Sequence, residues 1–215
     1  MKNKWTMIAG VAAALLGFSA TVQAVPILTL ADNNGNTVSV NAVGGMANYN
    51  GALGNWNINV STGIANGTPT SPSLDLNSIN QYVGGVGALG SILTITFTTD
   101  NLGPLAGGYF NAKGGTINGV SDAFSVLVNG VLLGTSPQSF SITPFSGSTS
   151  GAINAGAGST ITLQAVLTAT GIGTRVSPDQ TSFDDHLTVP DGGATVMLLG
   201  AALSVVGLLR KKLIA

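Results

Sequence analysis

The residues best suited to chemistry lie side by side near the end of the chain, in the segment Asp184-Asp185-His186. Side chains alternate between the two faces of a strand, so Asp184 and His186 would share a face if this segment is extended. Such a pair could contribute to a metal site, or act as a base and the carboxylate that orients it. A polar last strand explains the same residues without chemistry, and that interpretation is favoured.

A glycine-rich stretch from Gly85 to Gly90 matches the G-x-G-x-x-G pattern of dinucleotide-binding proteins. That site needs a strand before the glycines, a helix after them and an acidic residue about 20 positions further on. Here a strand pattern follows and no acidic residue stands near position 110. The stretch is therefore predicted to be a loop. A serine hydrolase would have to use His186, and no G-x-S-x-G motif is present.

The segment Asp32–Asn36 begins like a calcium-binding loop, with the spacing D-x-N-x-N. The glycine expected at the sixth position is Thr37, and the glutamate expected at the twelfth is Val43. A hairpin turn is the favoured interpretation. No cofactor is predicted, although weak calcium binding by oxygen-rich loops stays open.

Four aromatic residues could stack on sugar rings while asparagine side chains bind the hydroxyl groups: Tyr49, Trp56, Tyr82 and Tyr109. Trp56 would share its strand face with Ile58 and Val60, which indicates a core position instead. Carbohydrate binding is therefore kept as the second interpretation.

Charged residues make up only 7% of the chain, against about 25% in an average globular protein. Five of the seven basic residues lie at the two ends, and only Lys113 and Arg175 lie between them. This distribution excludes a nucleic-acid-binding surface, which needs clustered basic residues. The absence of cysteine excludes disulfides and thiolate metal sites.

Residues 25–188 are predicted to form one all-β domain, a single jelly-roll-like β-sandwich. Within Ser91–Thr99 apolar and threonine residues alternate with the period of a strand, and Asn129-Gly130 suits a type I′ hairpin turn. Turn residues separate the strand patterns at intervals of about ten residues, as in sandwich domains. Residues 146–159, rich in glycine and serine, are predicted to be a low-complexity loop.

Residues 1–24 have the three parts of a secretory signal peptide. Lys2 and Lys4 precede the apolar stretch Met7–Phe18, and small residues at Val22 and Ala24 mark a cleavage site between Ala24 and Val25. The alternative is an N-terminal membrane anchor.

Residues 189–215 also fall into three parts. Val189-Pro190-Asp191-Gly192-Gly193 precede the apolar run Ala194–Leu209, and Arg210, Lys211 and Lys212 follow it. A helix over these 16 residues would cover about 24 Å of a hydrocarbon core about 30 Å thick. Basic residues stay on the cytoplasmic side, so a transmembrane helix over 194–209, stopped by the basic cluster, would leave the domain outside.

This arrangement resembles the PEP-CTERM class of exosortase substrates, in its VPDSG-CTERM variant. The resemblance rests on Val189, Pro190, Asp191 and Gly193, with Gly192 where that variant has serine. It implies that an exosortase-type membrane protease removes the tail, and that the host makes extracellular polysaccharide. Since Pro190 restricts Val189 to extended geometry, the motif is predicted to be an extended strip open to a protease. The alternative is a plain anchor with a hinge.

The leading expectation is a non-enzymatic protein, first anchored in the membrane and then displayed on the cell surface or secreted into a polysaccharide matrix. The second is a carbohydrate-binding sandwich module, and the third is a hydrolase. Its expected partners are the exosortase-type protease, the membrane before processing, and extracellular polysaccharide, with no nucleic acid.

Overall fold

The computed structural model of the protein describes residues 25–84, 89–171, 179–190 and Leu203. The predicted signal peptide, the segment 85–88 of the glycine-rich loop, and almost all of the predicted transmembrane helix and basic cluster lie outside these residues. Among the described residues, no helix is long and apolar enough to cross a membrane.

Thirteen strands form the described domain. In chain order they are β1 (Ile27–Asp32), β2 (Thr37–Asn41), β3 (Met46–Leu53), β4 (Trp56–Thr68), β5 (Ser71–Tyr82), β6 (Ile92–Leu102), β7 (Leu105–Asn118), β8 (Val120–Val128), β9 (Val131–Leu132), β10 (Gln138–Phe140), β11 (Phe145–Ala155), β12 (Ser159–Ala169) and β13 (Gln180–Thr188).

The strands pair into two antiparallel sheets. Sheet A has seven strands, in the order β10-β8-β12-β6-β1-β2 with β9 also paired to β8, and sheet B has six, in the order β11-β7-β13-β5-β4-β3. Their inner faces pack together into one core, which confirms the prediction of an all-β sandwich.

The alternation of apolar residues explains which side chains fill the core. Leu93, Ile95 and Phe97 of β6 are fully buried, as the sequence predicted, and the threonines between them face outward. Asn129 and Gly130 both have positive φ, 52° and 77°, which confirms the hairpin between β8 and β9. The twist of such a turn matches that of the strands it joins.

Two predictions need correction. Residues 146–159 are not a loop, since most of them belong to β11, which pairs with β7 along its whole length and buries Thr149 and Ile153. In β4, a bulge between Ile58 and Val60 shifts the alternation. Trp56 and Ile58 are buried as expected, and beyond the bulge the buried face of β4 resumes at Ser61.

The two ends of the sandwich have different neighbours in the chain. Strand β13 runs across the middle of sheet B for nine residues, which is about 30 Å. It begins beside the end of β5, and we call this the far end of the sandwich. It ends beside the start of β5, where the chain continues into residues 189–215, and we call this the tail end.

Candidate functional site

The outer face of sheet B gathers polar side chains from two neighbouring strands. In the register of β13 and β5, His186 lies opposite Asp75 and Asp184 opposite Asn77. Asp184 and His186 therefore share one face, as the sequence predicted, whereas Asp185 points inward and is fully buried. Sequence reasoning did not find Asp75 or Asn77.

These side chains contact one another directly. His186 Nδ1 lies 3.8 Å from Asp75 Oδ2. Thr188 Oγ1 is 3.0 Å from His186 Nε2, and Asn77 Nδ2 donates to Asp75 Oδ1 over 2.7 Å. Partial burial and the nearby carboxylate of Asp184 raise the pKa of Asp75 above its ordinary value, while His186 and Asn77 act in the opposite direction.

An exposed aromatic ring adjoins this polar group. Phe110 of β7 lies opposite Thr188 and is 49% exposed, although buried aromatic rings are the rule elsewhere in this core. The residues of β7 opposite His186 and Asp184 are Ala112 and Gly114, whose small size leaves the polar groups uncovered. We call Asp75, Asn77, Phe110, Asp184, His186 and Thr188 the outer-face site.

The aromatic residues chosen from the sequence lie elsewhere. Trp56, Tyr82 and Tyr109 are at most 6% exposed and belong to the core, and Trp56 packs edge-on against Tyr82. Tyr49 is partly buried and donates from its hydroxyl to the carbonyl of Ala52. These rings form no sugar-stacking surface, and the core interpretation of Trp56 is confirmed.

A second group of polar side chains lies inside the sandwich, behind the outer-face site, and links β7 to β13. Asn111 Nδ2 donates to Asp185 Oδ1 over 2.7 Å, and Lys113 Nζ donates to Asn111 Oδ1 over 2.5 Å. Burial raises the pKa of Asp185 to about 7, against the effects of Asn111 and Lys113, and burial lowers the pKa of Lys113. These groups are shielded from solvent and fix β7 beside β13.

A hydrogen bond also joins the two sheets. Thr181 Oγ1 of β13 donates to Asp122 Oδ2 of β8, and both residues are buried. Asp122 Oδ1 has no partner among the described residues. Burial raises the pKa of Asp122 to about 7, with the bond from Thr181 acting in the opposite direction.

Neither the pair Asp184 and His186 nor the segment Asp32–Asn36, the two metal candidates from the sequence, is part of a complete ligand set. Within the described ranges, no three His, Cys, Asp or Glu side chains are placed to hold an ion. Asp32 instead accepts from the backbone N–H groups of Asn34 and Asn36 over 2.9 and 2.8 Å, and from Asn36 Nδ2 over 2.7 Å. The segment is the hairpin turn between β1 and β2 that the sequence favoured.

The first residue of the predicted sorting motif belongs to the folded domain. Val189 is fully buried, its N–H donates to the carbonyl of Pro72 over 3.0 Å, and its carbonyl accepts from Ser71 Oγ over 2.8 Å. Val189 is therefore not part of an accessible strip, because core packing holds it. Pro190 is exposed, and Asp191, Gly192 and Gly193 lie outside the described residues.

The solved structures that match this chain include several sugar-binding modules. TmCBM61 in complex with β-1,4-galactotriose shares 11% identity over 66% of this chain and 85% of its own, with a TM-score of 0.33. A family 35 carbohydrate-binding module from Clostridium thermocellum shares 13% over 66% and 96%, with a TM-score of 0.29. These values are too low to carry a ligand over to this chain.

A PA14 domain of the antifreeze protein MpAFP shares 18% identity over 48% of this chain, with a TM-score of 0.29, and the chain spans 46% of that protein's length. No curated protein matches the sequence. Residues 188–213 match the family model described as the VPDSG-CTERM motif, with Gly192 in place of serine. The C-terminal segment of this chain is thus a PEP-CTERM-like exosortase sorting signal, which points to an exported, surface-sorted protein.

Proposed function

We propose that the protein is a non-enzymatic surface module that binds extracellular polysaccharide through the outer-face site. It is made as a precursor whose apolar run holds it in the membrane, and an exosortase-type protease then removes the tail. The mature domain stays at the cell surface or in the surrounding matrix.

The observation that supports sugar binding is the exposed ring of Phe110 beside a row of hydrogen-bonding side chains. The C–H groups of a sugar ring pack against an aromatic face, and its hydroxyl groups both donate and accept. Asp75 and Asp184 accept, whereas Asn77, His186 and Thr188 offer both functions. From β7 to β5 the site spans two strand spacings, about 10 Å, enough for a short stretch of a polysaccharide chain.

The openness of the site supports binding rather than catalysis. The His186 side chain is 45% exposed and that of Asp75 is 30% exposed. Acid–base and nucleophilic mechanisms gain from an enclosed site that excludes water. A flat face suits a long polymer that must leave the site at both ends.

Affinity electrophoresis of the purified protein in gels containing the host's extracellular polysaccharide tests this proposal. Phe110→Ala should weaken binding roughly tenfold, because the ring provides the packing surface. Ile142→Ala removes a side chain that is 75% exposed outside the site, and serves as the matched control that keeps wild-type binding. Equal retardation of the Phe110→Ala variant and the wild-type protein would exclude the outer-face site.

A further inference from the structure

The tail end of the sandwich carries two groups of exposed aliphatic side chains. One lies where β1 begins and where β2 turns into β3, and we call it the β2 patch: Val25, Ile27, Val43 and Met46. The other follows the β8–β9 turn, and we call it the β9 patch: Val131 and Leu132. The most exposed residue of each patch is Val43, at 84%, and Val131, at 69%.

The strand registers place the β2 patch close to the point where the chain leaves the domain. The carbonyl of Gly45, in the β2–β3 turn, accepts from the backbone N–H of Ala65 over 2.8 Å. Two residues further along β4, Gly67 pairs with Pro72, whose carbonyl accepts from the N–H of Val189. The β2–β3 turn therefore lies about 7 Å along the strands from the level of Val189.

The β9 patch belongs to the same end. Asn129 of the β8–β9 turn donates from its N–H to the carbonyl of Thr160 over 3.1 Å, and its Oδ1 accepts from the Thr160 N–H over 2.9 Å. Strand β12 starts beside Leu102, and the next residue, Gly103, donates to the carbonyl of Pro69 in the β4–β5 turn over 3.0 Å. Five strand spacings separate β9 from β2 across sheet A, so the two patches lie about 24 Å apart.

The length of chain after Val189 indicates what these patches meet. Exposure alone does not, because Val83 and Ile142 are exposed toward the far end, at 57% and 75%. Five chain steps join Val189 to Ala194, where the apolar run begins, and an extended chain advances at most about 3.6 Å per residue. The tail end is therefore held within about 18 Å of the apolar run, and lipid headgroups occupy about 5–7 Å of that distance.

We propose that the tail end of the sandwich is a membrane-contacting surface, on which the β2 patch and the β9 patch rest against the lipid headgroup layer on either side of the tail. The inference rests on the proposed function, since it requires the apolar run to lie in the membrane. Exposed apolar patches of this kind mark contact surfaces.

The turns at this end allow a close approach to lipid. The five described turns here contain no charged residue, so none of them brings a charge that must lose its water: 42–45, 69–70, 103–104, 129–130 and 156–158. Asp100, exposed near the end of β6, is acidic. The contact therefore depends on apolar burial and not on attraction to anionic lipids, and it should persist at high salt.

This contact would orient the whole domain. With the tail end against the membrane, the strands run along the membrane normal and the outer face of sheet B is turned sideways. The outer-face site then stays open to polysaccharide while the precursor is still anchored.

Fluorescence quenching at single cysteines tests the inference, because the chain has no cysteine of its own. The precursor after signal removal, residues 25–215, is purified from a host without exosortase and placed in phosphatidylcholine vesicles that carry nitroxide-labelled headgroups. Bimane labels on Val43→Cys and Val131→Cys should shift to the blue and be quenched. The same label on Ile142→Cys, the matched control toward the far end, should keep its emission.

A longer tether separates attraction to lipid from simple proximity. Inserting about 20 glycine and serine residues after Pro190 adds about 25 Å of mean reach. Labels at positions 43 and 131 should still be quenched more than the label at 142, and equal quenching at all three would overturn the inference.

Two other outcomes would also overturn it. Disulfide formation between two copies of Val43→Cys, in place of quenching, would assign the β2 patch to a second copy of the chain. A precursor that does not float with the vesicles would refute the membrane-held state in the proposed function and the inference with it. Flotation without quenching at positions 43 and 131 would refute the inference alone.

Discussion

The buried carboxylate of Asp122 should make the protein less stable at alkaline than at acidic pH, and Asp122→Asn should remove most of that difference. Asp122 is fully buried in β8, and only one of its two oxygens is hydrogen-bonded among the described residues. Ionisation places a negative charge in the core beside a single hydroxyl donor, Thr181. Asparagine keeps an acceptor for Thr181 but never ionises.

The direction and size of this pH dependence of stability follow from the pKa of Asp122, which burial raises from 3.8 to about 7. Because the folded state holds the proton more tightly than the unfolded state, this contribution to stability is complete below about pH 3.8 and is lost as the pH rises through about 7. At 1.36 kcal/mol per unit of pKa, the loss amounts to about 4 kcal/mol. Typical domains are stable by about 5–15 kcal/mol, so the effect should be large.

Urea unfolding of the purified protein between pH 4 and pH 8 measures this difference. The wild-type protein should lose about 4 kcal/mol more than Asp122→Asn over this range. Asp185 titrates in both proteins and its effect cancels in the comparison. Asp100→Asn is the matched control on the surface. Equal pH dependence in wild-type protein and Asp122→Asn would refute the role given to this carboxylate.

Two further predictions concern the polar interior and the tail. Lys113→Met should destabilise the protein at pH 8 by about 3–5 kcal/mol in urea unfolding, because it leaves Asp185 buried without a cation. The double variant Lys113→Met/Asp185→Leu should recover most of this loss, and a smaller loss of stability in the single variant than in the double would contradict the prediction. Changing Pro190 and Asp191 to alanine should leave a membrane-attached, uncleaved precursor on fractionation and immunoblotting, whereas serine at positions 210–212 should reduce membrane retention. Normal processing of the Pro190/Asp191 variant would mean that the protease does not recognise the motif, which would then be only a hinge.

Strands with strong alternation could be predicted from the sequence, and strands of small residues could not. From Leu93 to Phe97 of β6 every second residue is apolar, so this buried face is evident without knowledge of its neighbours. Strand β11 is made mainly of glycine, serine and alanine, and its extended form depends on pairing with β7. Such pairing is a property of the whole fold, because local propensity in strands is weak and depends on context.

The outer-face site could be predicted only in part for a related reason. Strand periodicity places Asp184 and His186 on one face, but Asp75 lies more than 100 positions earlier in the chain and meets them only because β5 pairs with β13. Phe110 had a usable signal, since it follows Tyr109 directly and alternation must turn one of two adjacent rings outward. The burial of Lys113 and Asp122 had none, because charged residues are rarely buried.

The mass of the intact mature protein, isolated from a host that carries the matching exosortase, tests the sorting account most directly. Cleavage at both ends should remove residues 1–24 and the apolar tail, leaving the domain that begins at Val25 and includes the buried Val189. A mature protein that still contains Leu198–Lys212 would contradict exosortase processing and leave a simple membrane anchor.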